Sequence, residues 1–169
     1  MIKQLIPEGY CLKCQGCCRF REEFSAWLPC LLEEEVQDLL GRQDIPAASL
    51  SADKRIHPIP GPDNNGFLCP FLGLAENKCG IYRLRPFECQ LYPFLLNLRR
   101  NKVFLTVDLN CPYAREHLHS PGFIEYTAWL VSFLNTPQQL KVLRDNPQLL
   151  QAYEEVAEII ELKALDENK

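Results

Sequence analysis

The sequence predicts a small α+β domain: a loop-rich cysteine region, a short β-hairpin and C-terminal helices. Three observations carry this. Nine cysteines fall between Cys11 and Cys111, and residues 112–169 have none. Two aliphatic and aromatic runs, Phe94–Leu98 and Val103–Leu109, flank Arg99-Arg100-Asn101-Lys102, as the arms of a hairpin do. Apolar residues after Ser120 then recur at helical spacing.

Taken in chain order, residues 11–30 are cysteine-rich and loop-like. Leu31–Leu40 suits a short helix, because Leu32, Val36, Leu39 and Leu40 share a face, and Gly41 can close it in a left-handed cap. Residues 44–66 hold four of the thirteen prolines and Asp63-Asn64-Asn65-Gly66, which is turn chemistry. In the tail, Phe123, Tyr126, Leu130 and Leu134 form one helical stripe, and Thr136-Pro137 starts another helix with Thr at the N-cap and Pro at N1. From Pro147, residues Leu149, Tyr153, Val156 and Ile160 predict a last helix with an acidic outer face of Glu154, Glu155, Glu158 and Glu161. Residues 1–115 are expected to form the cysteine region and residues 116–169 a helical region packed on it, as one domain.

Composition narrows the function. Hydrophobic residues are 47% and charged residues 24%, which excludes global disorder. A formal net charge of −4 disfavours nucleic acid as a partner held by bulk charge. Lys and Arg balance Asp and Glu at 13 each over residues 1–111, and the 5 against 9 in residues 112–169 supplies the whole −4. The first residues lack the apolar run of a secretory signal, and no stretch has eighteen uninterrupted apolar residues, so a cytoplasmic protein with no membrane partner is expected. In that compartment clustered cysteines point to metal or redox chemistry rather than structural disulfides, and an odd count of nine agrees.

The spacing makes metal the expectation. Cys11-x2-Cys14-x2-Cys17-Cys18 places closely spaced thiolates around a bend at Gly16. Adjacent side chains tend to point apart, so Cys17 and Cys18 are expected to serve different ions, or one of them to stand behind the other. Cys69-Pro70, Cys79, Cys89 and Cys111-Pro112 add four more candidate ligands. Eight thiolates suit two four-thiolate sites or one polynuclear site. Three close thiolates with a remote Cys-Pro is nearer to iron–sulfur ligation, and zinc stays open beside it. Eight thiolates around two Zn²⁺ leave −4, which Lys13, Arg19, Arg21, Arg83 and Arg85 would offset. Arg85, before Pro86, is the best candidate to hydrogen-bond a ligand sulfur. Cys30 has no ligand-like neighbour and reads as packing. His57, His117 and His119 are weaker metal candidates.

Together, Cys11-x-x-Cys14-x-x-Cys17-Cys18-Arg19, Cys69-Pro70-Phe71-Leu72, Cys79-Gly80-Ile81-Tyr82-x-x-Arg85-Pro86, Cys89-x-x-Tyr92-Pro93 and Cys111 resemble the CxxCxxCC (YkgJ-like) cysteine-cluster proteins. These are mostly bacterial and described as zinc- or iron-chelating domains. The resemblance covers residues 11–111 and implies a metal-binding fold. Members usually carry Arg where this chain has Gln90, and often Phe where it has Tyr92.

Three functions are consistent with these residues. The first is a metal-binding module held together by its thiolates, with metal ions as partners. The second is an iron–sulfur enzyme for redox or group transfer, related to the cysteine-cluster region of flagellin lysine methylase. Tyr82, Arg83, Arg85 and Tyr92 would then line its pocket or contact its cofactor. The third is a metal-stabilised adaptor binding a protein partner through the helical tail. No Walker-type phosphate loop, GxGxxG, nucleophile elbow or HExxH points to another chemistry.

Overall fold

The computed structural model describes residues 2–14, 16–42, 45–62 and 65–165. It is a mixed α+β chain that divides into two compact units, Met1–Leu91 and Tyr92–Lys169. The hairpin and Cys111 thus belong with the tail, whereas the sequence reading grouped them with the cysteine region up to residue 115.

The first unit has little regular structure. Helix α1 is Glu8–Cys11 and α2 is Glu33–Leu40. Strands β1 (Arg19–Phe20), β2 (Ile59–Pro60) and β3 (Phe67–Leu68) form one small sheet in the order β1-β3-β2. Strands β4 (Leu72–Gly73) and β5 (Lys78–Cys79) form a second, and α3 is Phe87–Leu91. The predicted helix over 31–40 is present. Gly41 nevertheless closes it at φ −67°, in the right-handed region, so no left-handed cap forms. Its start is held by Glu35, whose carboxylate accepts from the Leu32 amide at 2.9 Å, the N3-to-N-cap half of a capping box. The expected turn at 63–66 is described at Asn65 and Gly66 only; Asp63 and Asn64 lie outside the described residues. Gly66 has φ +71°, and an added Cβ would stand 2.7 Å from the Phe20 carbonyl oxygen, so glycine is required there. The core of this unit is Phe20, Leu28, Leu31, Leu39, Ile45, Ile56 and Cys69.

The second unit is more regular. Strands β6 (Phe94–Arg99) and β7 (Lys102–Asp108) pair in the predicted hairpin, from Phe94↔Val107 to Arg99↔Lys102. Arg100 and Asn101 both have positive φ, 51° and 62°, as a two-residue type I′ turn demands. Helix α4 is Pro112–His117, α5 is Pro121–Leu134 and α6 is Pro137–Asp145. Ser120 and Thr136 cap the last two, accepting from the Phe123 and Gln139 amides, each with Pro at N1. Phe123, Tyr126, Leu130 and Leu134 are all buried, and Phe94 lies against Phe123 and Tyr126 with ring centroids 5.3 and 5.7 Å apart.

The last expected helix does not form. Val156–Glu161 is strand β8, antiparallel to β7, with Leu105↔Ile160 and Thr106↔Glu158 in register around a bulge. Its β-branched Val156, Ile159 and Ile160 suit a pleated surface, and the free side of β7 offers the hydrogen bonds. No described helix is long and apolar enough to cross a membrane.

One buried polar side chain fixes the return of the chain to the sheet. Asn97, fully buried in β6, donates to the Tyr153 carbonyl at 2.9 Å and accepts the Tyr153 amide at 3.2 Å. Asn97→Ala leaves both backbone groups without that partner and is expected to cost about 2–3 kcal/mol. Chemical denaturation compared with the exposed control Asn135→Ala checks this; equal midpoints would refute it.

Candidate metal centre

Backbone geometry gathers the first unit's cysteines from four places. Helix α1 ends at Cys11, and the turn that follows is closed by the Cys14 amide on the Cys11 carbonyl at 3.1 Å. The Gly16 amide then donates to the Cys14 sulfur at 3.2 Å. The Arg19 amide closes the next turn on the Gly16 carbonyl at 2.9 Å, and β1 begins. Because Arg19 pairs with Leu68 and the Cys69 amide donates to the Cys18 carbonyl at 2.9 Å, Cys18 and Cys69 become neighbours across the ladder. The Leu72 amide turns the chain on the Cys69 carbonyl at 3.0 Å, and Leu72↔Cys79 pairing returns Cys79 beside it. Cys89 lies in α3.

All nine cysteines are free thiols. Six of them, Cys11, Cys17, Cys18, Cys69, Cys79 and Cys89, have their ionisation shifted in part by neighbouring sulfurs, and Cys14 is one of those neighbours for Cys11 and Cys17. Cys18 stands at the centre. Its sulfur accepts from the Cys17 and Cys69 thiols, which holds it far below the usual thiol range, with Arg19 and Arg85 adding to the effect. Cys17 and Cys69, as the donors, keep their protons. Burial is the first reason that Cys11, Cys79 and Cys89 are pushed up. The adjacent pair Cys17-Cys18 therefore does not point apart as expected: the turn from Gly16 to Arg19 brings both sulfurs into contact.

Cys69 belongs to the apolar core, and Cys18 and Cys89 pack against it, so these three thiols line one side of that core. Arg85 is the cation they share, favouring the ionised form of Cys11, Cys18, Cys79 and Cys89. Its guanidinium lies 3.8 Å from the Tyr82 ring centre, and its Nε donates to the Tyr82 carbonyl at 3.1 Å. Tyr82 and Arg83 are exposed. Among the described residues, no three His, Cys, Asp or Glu side chains stand together as a finished metal cage. Cys17, Cys18 and Cys69 instead hydrogen-bond one another, and the donor set is all thiol, which suits zinc and iron alike.

The remaining candidates are Cys111, Cys30 and the three histidines. Cys111 is buried in the second unit as the N-cap of α4. Cys30 is fully buried beside Glu88, Arg55 and Asp53, with its thiol pushed up to about 12, first by burial and then by Glu88. His117 packs on Tyr113 at 4.4 Å, His57 is half-buried and His119 is exposed.

A family model described as "Putative zinc- or iron-chelating domain" matches residues 10–112, more than half of the chain. The chain belongs to the CxxCxxCC family. An uncharacterized protein of Methanocaldococcus jannaschii is 41% identical to this CxxCxxCC chain over 44 residues, which are 26% of this chain and 24% of that protein. The chain thus spans about a quarter of the length of that relative. No solved structure matches it.

Three residues support the CxxCxxCC site in ways that the sequence reading did not foresee. Gln90, in place of the usual Arg, accepts from the Ile2 amide at 2.9 Å and donates to the Arg85 carbonyl at 2.7 Å. An arginine has no acceptor to offer Ile2. Asn77 occupies the β4–β5 turn at φ +50°; an Asn between apolar runs was the available signal. Glu35 joins α2 to the start of α3, accepting the Phe87 amide at 2.6 Å two residues before Cys89. A capping glutamate was legible, but its second partner lies 52 residues away.

Burial pushes the Glu35 carboxyl up to about 7 despite the Leu32 and Phe87 amides, which favour its ionised form. The folded chain thus binds this proton more tightly than the unfolded one. Its contribution to stability is full below about pH 4.5 and is lost as the pH rises through about 7. Urea unfolding of the wild type and Glu35→Gln between pH 5 and 8 should show the downward slope reduced in the variant. Parallel curves would refute the assignment.

Proposed function

We propose that the Met1–Leu91 unit is a metal-binding module that carries iron as an iron–sulfur cluster on its thiolates. One observation supports this above others. The Arg19↔Leu68 register sets Cys18, the last of the closely spaced loop cysteines, beside Cys69, the remote cysteine followed by proline. Clustered thiolates plus one remote Cys-Pro is the grouping of iron–sulfur ligation, whereas structural zinc sites commonly join two short C-x2-C units. The ligands are drawn from Cys11, Cys14, Cys17, Cys18, Cys69, Cys79 and Cys89. Metal binding displaces the protons that Cys17 and Cys69 otherwise hold, so loading releases protons and weakens in acid. Arg85 is proposed to offset part of the remaining negative charge, since it already favours ionisation of four of these sulfurs.

Anaerobic purification tests the reading. A brown protein with iron and acid-labile sulfide is expected, and a colourless protein with stoichiometric zinc overturns the iron assignment. Cys69→Ser should lose most of the metal while Cys30→Ala retains it, as measured by elemental analysis. Stripping the metal with a chelator should lower the melting temperature, because binding and folding energy are shared in such sites.

A further inference from the structure

We infer that Asn77 is the positioning residue of the thiol site, holding the Cys11–Cys14 turn in place for metal; this rests on the thiolate reading above. Its backbone sits at φ +50°, a left-handed conformation that asparagine tolerates better than most residues. From there the side chain reaches 63 to 66 positions back along the chain. Its Nδ2 donates to the Cys14 carbonyl at 2.6 Å and the Leu12 carbonyl at 2.8 Å, with the Cys11 carbonyl at 3.4 Å. Its Oδ1 accepts from the Arg19 guanidinium at 2.9 Å.

One amide therefore joins three pieces of the site. It holds the turn that carries Cys11 and Cys14, the arginine that follows Cys18, and the hairpin whose second strand ends at Cys79. The carbonyls of residues 11–14 have no strand or long helix to bind them, so the amide takes the place of regular structure. An amide does both jobs at once, because it presents two N–H donors and an acceptor. A carboxylate would keep the bond to Arg19 and would repel the three carbonyls. Residues that orient ligands matter to metal affinity nearly as much as the ligands do.

The test uses the full-length reduced chain, freed of metal and titrated with Co²⁺, whose thiolate charge-transfer and visible bands report ligand geometry. Asn77→Asp keeps the Arg19 acceptor and loses the donors. Asn77→Gly keeps the backbone conformation and loses the side chain, so the hairpin turn survives in at least one variant. Both are expected to weaken Co²⁺ binding by about 10- to 100-fold and to shift the visible bands of the loaded protein. Wild-type affinity and spectrum in either variant overturn the inference, and so does a drop in melting temperature with an unchanged spectrum. Failure of the wild type to bind Co²⁺ or iron through its thiols instead overturns the thiolate reading itself.

Discussion

Sulfur atoms packed against an apolar core resist ionisation twice, through lost hydration and through one another's charge. In this chain Cys18, Cys69 and Cys89 line a core made by Phe20, Leu28, Leu31 and their neighbours, with Cys11, Cys14, Cys17 and Cys79 close enough to interact with this group. The cations that favour their ionised forms are Arg85, acting on four of them, and Arg19, acting on Cys18. Two guanidinium groups do not balance seven thiolates. Protons or metal ions must supply the difference, and this constraint governs the unit. Cys18 ionises most readily because two thiols donate to it and both arginines favour its charge.

The surrounding structure follows from bringing those sulfurs together without long elements. Five strands of two residues each supply just enough ladder to fix neighbours: β1 against β3 aligns Cys18 with Cys69, and β4 against β5 brings Cys79 back. Side chains complete what the ladders leave open. Glu35 bonds the first amide of α3, and Gln90 ties Ile2 to the Arg85 carbonyl. The second unit has the opposite economy, with a three-stranded sheet, capped helices and a core of Phe94, Leu105, Phe123, Leu130 and Leu134.

What the sequence revealed was what local chemistry decides. Ser120-Pro121 and Thr136-Pro137 mark helix starts because the caps act within three residues. Phe94–Leu98 and Val103–Leu109 read as a hairpin because their turn lies between them. The cysteine spacing, with motifs such as Cys69-Pro70-Phe71-Leu72 and Ile81-Tyr82-x-x-Arg85-Pro86, pointed to the CxxCxxCC family. The remainder depends on distant partners. Leu149, Tyr153, Val156 and Ile160 satisfy a helical period, yet Val156–Glu161 became a strand because β7 had a free side. The two-residue strands exist only through their pairing. Asn77 and Glu35 are ordinary polar residues until the fold brings the Cys14 carbonyl and the Phe87 amide to them.

The conversion of that tail segment into β8 changes what its acids do. In the order β6-β7-β8, the last strand lies at the margin of the sheet, where unpaired backbone groups invite another extended chain to add on. Glu158 and Glu161 fall within it, and Glu161 is paired with Lys102 at 2.8 Å. Charge at such a margin is one of the means by which sheet edges disfavour pairing with a second copy.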